Sequence, residues 1–179
     1  MSAGAWVRIS TARRIGVKGL YATAVLGELG LAIPERANTW SPLRGPDRDD
    51  ADDIVARLGN TEFFIEELGD AAGVASLERR LANVIAGAYP VLREDVGLLI
   101  GGPRAADALA QVCNVDLAGA VIAKRSIYMT LMLGVSVLAL AQRTGAGVVY
   151  RIWCDPSFAN FLLSELKKIT QELPAGSDR

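Results

Sequence analysis

The side chains that ordinarily carry chemistry are sparse in this chain. It contains no histidine, which removes the commonest general base and the commonest metal ligand near neutral pH. A Ser-His-Asp triad or a Cys-His pair is therefore impossible within it. Its two cysteines, Cys113 and Cys154, form no CxxC pattern and have no activating base beside them in sequence. Both are expected as buried, reduced small hydrophobes, and a zinc site joining them to distant carboxylates is not expected. The acidic run from Asp47 to Asp53 lacks the central glycine of an EF-hand and has Leu58 where the closing glutamate would stand; it reads as a solvated loop. Ile100-Gly101-Gly102-Pro103 is placed like a phosphate loop, but no GxGxxG or GKS/T pattern follows, and proline withholds one donor. A tight strand-to-helix turn is the simpler reading. Trp40, in a polar, proline-containing loop, either tucks onto its own core or anchors an interface. With Asn38 it marks the expected interface. No catalytic, cofactor-binding or metal-binding residue is expected.

The elements around these residues show a repeat. Val17-Lys18-Gly19 through Leu26 returns as Ile100-Gly101-Gly102 through Leu109, 83 residues later counted from Gly19 to Gly102. Each copy has an apolar residue two before the glycine, an alanine three after it and a leucine seven after it, as expected of one strand–turn–helix unit built twice. In the first half, strands are expected at 14–17, 54–58, 62–65 and 84–88, with helices at 22–29 and 71–81. Asp70 is placed to cap the second helix. Residues 34–53 read as a long loop and Tyr89-Pro90 as the boundary between halves. In the second half, a strand at 96–100 leads to a helix with Pro103 at its first position. Strands follow at 126–131, 135–142 and 148–154, with turns at Gly134 and at 145–147. Asp155-Pro156 starts a last helix, with Phe158, Phe161, Leu162, Leu166 and Ile169 as its buried stripe.

This order predicts an α+β fold: two ferredoxin-like split βαβ halves, with a mainly antiparallel sheet and helices on one face. The expected organisation is an N-terminal tail over 1–12, one domain over 13–173 built of halves at about 13–90 and 91–173, and a disordered tail over 174–179.

Composition narrows the function classes. At 179 residues with 51% hydrophobic residues and a mean hydropathy of +0.26, the chain can bury a sizeable core. Its apolar excess fits either that core or a face covered by a partner. A net charge of −1 and 6% aromatics give no nucleic-acid footprint. The uncharged stretch 127–141 falls short of a membrane span and fits two strands. With no secretion signal and two unpaired cysteines, a cytoplasmic location is expected.

Three segments then carry a resemblance: Arg14–Gly19, Leu29–Trp40 and Ala56–Phe63 in the first half. Ile100–Leu109, Asn114-Val115-Asp116-Leu117, Val149–Trp153 and the 155–168 helix agree in the second. Together, over about residues 13–170, they resemble the small gamma subunit of heterotetrameric sarcosine oxidase. Their order and spacing, more than any one motif, make the match specific. The resemblance implies the fold of the folate-binding half of the glycine-cleavage T-protein. It also implies a non-catalytic subunit of a flavin-dependent, N-methyl amine demethylating enzyme, stabilising the large subunit near its folate domain. FAD, FMN, NAD and tetrahydrofolate would then sit on the larger partner subunits and none in this chain. The first copy of the repeat lacks the proline of the second, and the 47–53 insertion has no match in the family. A T-protein is about twice as long, which makes a stand-alone folate-binding or C1-transfer protein the second alternative.

Overall fold

The computed structural model describes residues 4–43, 53–67, 72–82, 87–118 and 120–173. In chain order the elements are β1 (Trp6–Ile9), β2 (Arg13–Lys18), α1 (Ala22–Glu28), β3 (Thr39–Pro42), β4 (Ile54–Arg57), β5 (Glu62–Glu67), α2 (Ala72–Ala82) and β6 (Tyr89–Val91). There follow β7 (Val96–Gly101), α3 (Ala105–Ala110), α4 (Ala120–Ala123), β8 (Ile127–Met132), β9 (Val135–Thr144), β10 (Gly147–Cys154) and α5 (Pro156–Glu172). The chain divides into two compact units, one spanning Thr11–Glu94 and the other joining Met1–Ser10 to Asp95–Arg179.

In the first unit the sheet runs β3-β4-β5-β2-β6, antiparallel throughout. Alternation along the strands sends Ile15, Val17, Val55, Phe63 and Ile65 to one face, where they pack with Ala22, Val25 and Leu26 of α1 and Leu77 and Leu81 of α2. The 3.6-residue period of both helices explains that choice of residues. In the second unit the order is β8-β9-β10-β7-β1, again antiparallel. Leu98, Ile100, Val137, Ala139, Tyr150 and Ile152 meet Ala105 and Leu109 of α3 and Leu162 and Leu166 of α5 on one face. Each unit is thus an α+β split βαβ arrangement with its helices on one face of an antiparallel sheet, as expected.

Local chemistry explains the joints. Leu133 and Gly134 have φ of 51° and 81° between the paired residues Met132 and Val135, the two positive φ values a type I′ hairpin requires. At α5, the Asp155 side chain accepts from the Ser157 N–H at 2.8 Å, with Pro156 at the first helical position, the expected cap.

Several expectations change. Residues 6–9, placed in a tail, form β1, which pairs with β7 from Trp6↔Gly101 to Ile9↔Leu98. The loop at 34–53 contains β3, which pairs with β4. Residues 84–86 of the strand placed at 84–88 lie outside the described residues; a strand, β6, is found at Tyr89–Val91, so Tyr89-Pro90 lies within it and is no boundary. The proline is tolerated because β6 is an edge strand. Pro103 precedes α3. The turn closes first, with the Ala105 N–H bonded to the Gly102 carbonyl at 3.1 Å, and the helix begins at Ala105. In α5 the buried stripe is Ala159, Leu162, Leu166 and Thr170, while Phe158 and Phe161 are each 47% exposed. The Asp70 cap, residues 47–52 of the acidic run and the tail at 174–179 lie outside the described residues.

The two sheets share one order. With β2, β4, β5 and β6 numbered as strands one to four, and β7, β9, β10 and β1 likewise, both read four-one-three-two with one added edge strand. The sequence repeat runs from β1 to α2 and again from β6 to α5. Each repeat's leading strand is therefore the fourth strand of the sheet built by the other repeat. Gly4-Ala5-Trp6 and Gly87-Ala88-Tyr89 lead these strands at the same 83-residue separation as Gly19 and Gly102.

Candidate functional site

The repeated glycines are closed corners. Gly19 and Gly102 have φ of 134° and 100°, where side-chain-bearing residues are strained. A Cβ on Gly19 would overlap the Gly87 carbonyl oxygen and lie 2.9 Å from the Ala88 Cα. A Cβ on Gly102 would overlap the Gly4 carbonyl oxygen and lie 3.1 Å from the Ala5 Cα. In each unit the glycine after the first strand is thus pressed against the Gly-Ala that leads into the fourth. The N–H groups an anion would use are engaged: Gly19 donates to the Thr61 carbonyl, Tyr21 to that of Gly87 and Ala22 to that of Gly19, at 3.0–3.1 Å. At the first corner these donors are therefore used within the fold.

The reactive side chains are held quiet. Cys154 is 2% exposed, and burial, then Asp155 and Asp95, pushes its thiol above the ordinary 9.0, which disfavours the nucleophilic thiolate. Tyr150 is raised above 10.0 by burial and by the charges of Asp116 and Asp107. Asp155 is lowered by its hydrogen bonds from Ser157, which belong to the helix cap. The buried ions also have structural partners. Arg14 Nε meets Glu66 Oε2 at 2.6 Å across β2 and β5, and Arg151 Nε donates to Gln142 Oε1 at 2.9 Å. Neither pair was visible in sequence, because each depends on a cross-strand register. Among the described residues, no group of three or more His, Cys, Asp or Glu side chains could hold a metal ion.

Asn38 and Trp40 separate. Trp40 is 3% exposed. It pairs with Ala56 in the β3–β4 ladder and is buried within the chain, because β3 turns the expected loop into sheet. That takes the first of its two readings, the core, and leaves no indole face to anchor a partner. Asn38 is exposed, with φ of 57° and its N–H bonded to the Arg57 carbonyl at 2.7 Å. The Arg57 guanidinium also donates to the carbonyls of Pro34, Glu35, Gly59 and Asn60 at 3.0–3.3 Å, which fixes this loop beside the hairpin.

Two surface features remain. Around the first glycine corner, Leu20 is 83%, Tyr21 59% and Tyr89 56% exposed. Lys18 and Tyr89 are register partners, and the Tyr21 ring lies over Gly87, so these side chains share one end of the first unit. In the second unit a cavity of about 250 Å³ opens beside the end of α3, lined by Leu109, Ala110, Cys113, Asp116, Leu117 and Tyr150 among others.

No helix among the described residues is long and apolar enough to cross a membrane. No family model matches the chain, and no curated protein does. Solved structures do. A chain of heterotetrameric sarcosine oxidase from Corynebacterium sp. U-96, in complex with pyrrole 2-carboxylate, superposes with a TM-score of 0.72 at 20% identity, over 99% of this chain and 92% of that one. Glycine cleavage system aminomethyltransferase T from Bartonella henselae superposes with a TM-score of 0.63 at 21% identity, over 91% of this chain and 45% of that one. The fold is therefore that of a chain of heterotetrameric sarcosine oxidase, and it is shared with part of aminomethyltransferase T.

Proposed function

We propose that this chain is the small, non-catalytic subunit of a cytoplasmic, multi-subunit, flavin-dependent enzyme that oxidatively demethylates an N-methyl amine. Its FAD, FMN, NAD and tetrahydrofolate would be held by larger partners. The observation that carries the reading is end-to-end coverage: the likeness to the sarcosine oxidase chain takes in 99% of this chain and 92% of that one. The likeness to aminomethyltransferase T takes in 91% of this chain and 45% of that one, and a stand-alone C1-transfer protein is the second reading. A scaffold role also fits a chain whose glycine corners are closed and whose Cys154 thiol is buried and protonated. The proposed docking surface is the apolar end at Leu20, Tyr21 and Tyr89, with exposed Asn38 kept as a second contact. Obligate interfaces are built on apolar surface of this kind.

The test is affinity purification from the native host under mild conditions. The expected product is a yellow assembly of larger polypeptides containing flavin. A colourless monomer that binds tetrahydrofolate by itself in calorimetry would overturn the reading and favour C1 transfer.

A further inference from the structure

We propose that the cavity between the end of α3, the 113–118 segment and Tyr150 is a binding site for a small organic ammonium ion with a compact apolar body. Tyr150 lines it from β10 and is 3% exposed, so its ring is fixed in the core and a polar group stands in the cavity wall. At the mouth, Asp116 is exposed and uses Oδ1 to accept from the Ala118 N–H at 2.8 Å. Among the described residues its second oxygen is left open. No lysine or arginine lines the cavity. Asp107, one helical turn before the end of α3, has Arg104 as its ion-pair partner. Apart from Asp116, Tyr150 and the neutral Asn114, the lining side chains are apolar or weakly polar, with Ala106, Leu109, Ala110 and Leu117 among them.

These features select the ligand by charge and size. An anion would meet the Asp116 carboxylate with no cation to receive it. An ammonium can donate to Asp116 and to the lone pair of Tyr150, which keeps its own proton because burial and the nearby carboxylates disfavour phenolate. Charge-assisted hydrogen bonds of this kind are the strong ones. At about 30 Å³ per small group, a cavity of 250 Å³ takes about eight non-hydrogen atoms. The inference does not rest on the proposed subunit role.

The test is saturation-transfer NMR titration of the full chain, alone or in any assembly it forms, with three probes of similar size: benzylammonium, benzyl alcohol and benzoate. Benzylammonium is expected to saturate, benzyl alcohol to bind about tenfold more weakly and benzoate not to bind. Tyr150→Phe, which keeps the ring, and Asp116→Asn, which keeps the turn acceptor, should each weaken benzylammonium by about tenfold. Equal binding of the three probes to the unaltered chain would overturn the proposal, as would no saturation by benzylammonium, or binding indifferent to both substitutions.

Discussion

The glycine corners allow a sharp test through three alanine substitutions whose surroundings differ. Gly27 lies in α1 with nothing within 4 Å of a built Cβ, so Gly27→Ala should stabilise the fold by about 0.5–1 kcal/mol through helix propensity. Gly134 has φ of 81° and equally open space, so Gly134→Ala should cost only the left-handed backbone term, about 1–2 kcal/mol. Gly19 has φ of 134° and also sits against the Gly87–Ala88 backbone, with 2.7 Å to the Gly87 carbonyl carbon. Backbone atoms cannot swing aside as a side-chain tip can. Gly19→Ala should therefore cost the backbone strain, about 1–3 kcal/mol, and also the parting of the segment that leads into β6, with the Tyr21 to Gly87 hydrogen bond, which adds about 1 kcal/mol more. The total of about 2–4 kcal/mol corresponds to a fall in Tm of roughly 4–16 °C for a chain of this size. Urea unfolding followed by circular dichroism measures all three. The reasoning fails if Gly19→Ala costs no more than Gly134→Ala, since close approach would then add nothing.

Other outcomes follow from the same structure. Cys154 and Tyr150 have raised values in the folded chain, so the native state holds their protons more tightly than the unfolded chain. Stability should thus be intact below 9.0 and fall as pH climbs above 9.0 and then above 10.0; Cys154→Val and Tyr150→Phe should each flatten that alkaline limb in pH-dependent unfolding. Asp155 has the opposite sign: its value is lowered by Ser157, so its contribution is present above the ordinary carboxylate range and lost as pH falls through the lowered value. Asp155→Ala should reduce stability at neutral pH but not in acid, while Asp155→Asn, still a good cap, should behave like the parent at neutral pH. Leu20→Glu, at a residue 83% exposed, should leave thermal stability within about 0.5 kcal/mol and abolish co-purification of larger subunits. Intact co-purification would move the docking surface elsewhere.

What could be read from the sequence was what local pattern controls. The β8–β9 hairpin was legible because Gly134 breaks an uncharged run, and α5 because Asp155-Pro156 is a start signal with one meaning. The stripe of α5 was misplaced because two phenylalanines outweighed Ala159 in a periodic reading, although Ala159, Leu162 and Leu166 keep the same spacing. The short strands β1, β3 and β6 were missed or misplaced for a different reason. With three or four residues each, all at sheet edges, they carry too few positions for alternation to show, and their partners lie far away in sequence. Trp40 follows from that error, since only the β3 pairing makes it a core residue. The cavity needed the 106–118 stretch and Tyr150 of β10 together, and local pattern does not bring these two stretches to one place.

The exchange of leading strands explains why the repeat recurs where it does. Had each repeat folded on itself, Gly4-Ala5 would stand against Gly19 and Gly87-Ala88 against Gly102. The observed contacts are the reverse: Gly87 packs on Gly19 and Gly4 on Gly102. Each corner therefore draws on both repeats at once: one supplies the turn glycine, where a Cβ would overlap backbone, and the other supplies the backbone that approaches it. That accounts for Gly19 and Gly102 recurring at equivalent positions. It also means neither repeat can complete its four-strand order from its own residues, because β1 and β6 serve the sheets of the other. A duplicated βα unit ordinarily suggests two copies of one binding loop. Here the duplication is used up in closing two sheets, and whatever the chain recognises must be sought at positions where the repeats differ. The apolar end at Leu20 and Tyr21, against Pro103 and Arg104 in the second copy, is one such position. The cavity beside Tyr150 is another: Tyr150 pairs with Ile100 as Phe63 of β5 pairs with Val17, the equivalent position of the first unit.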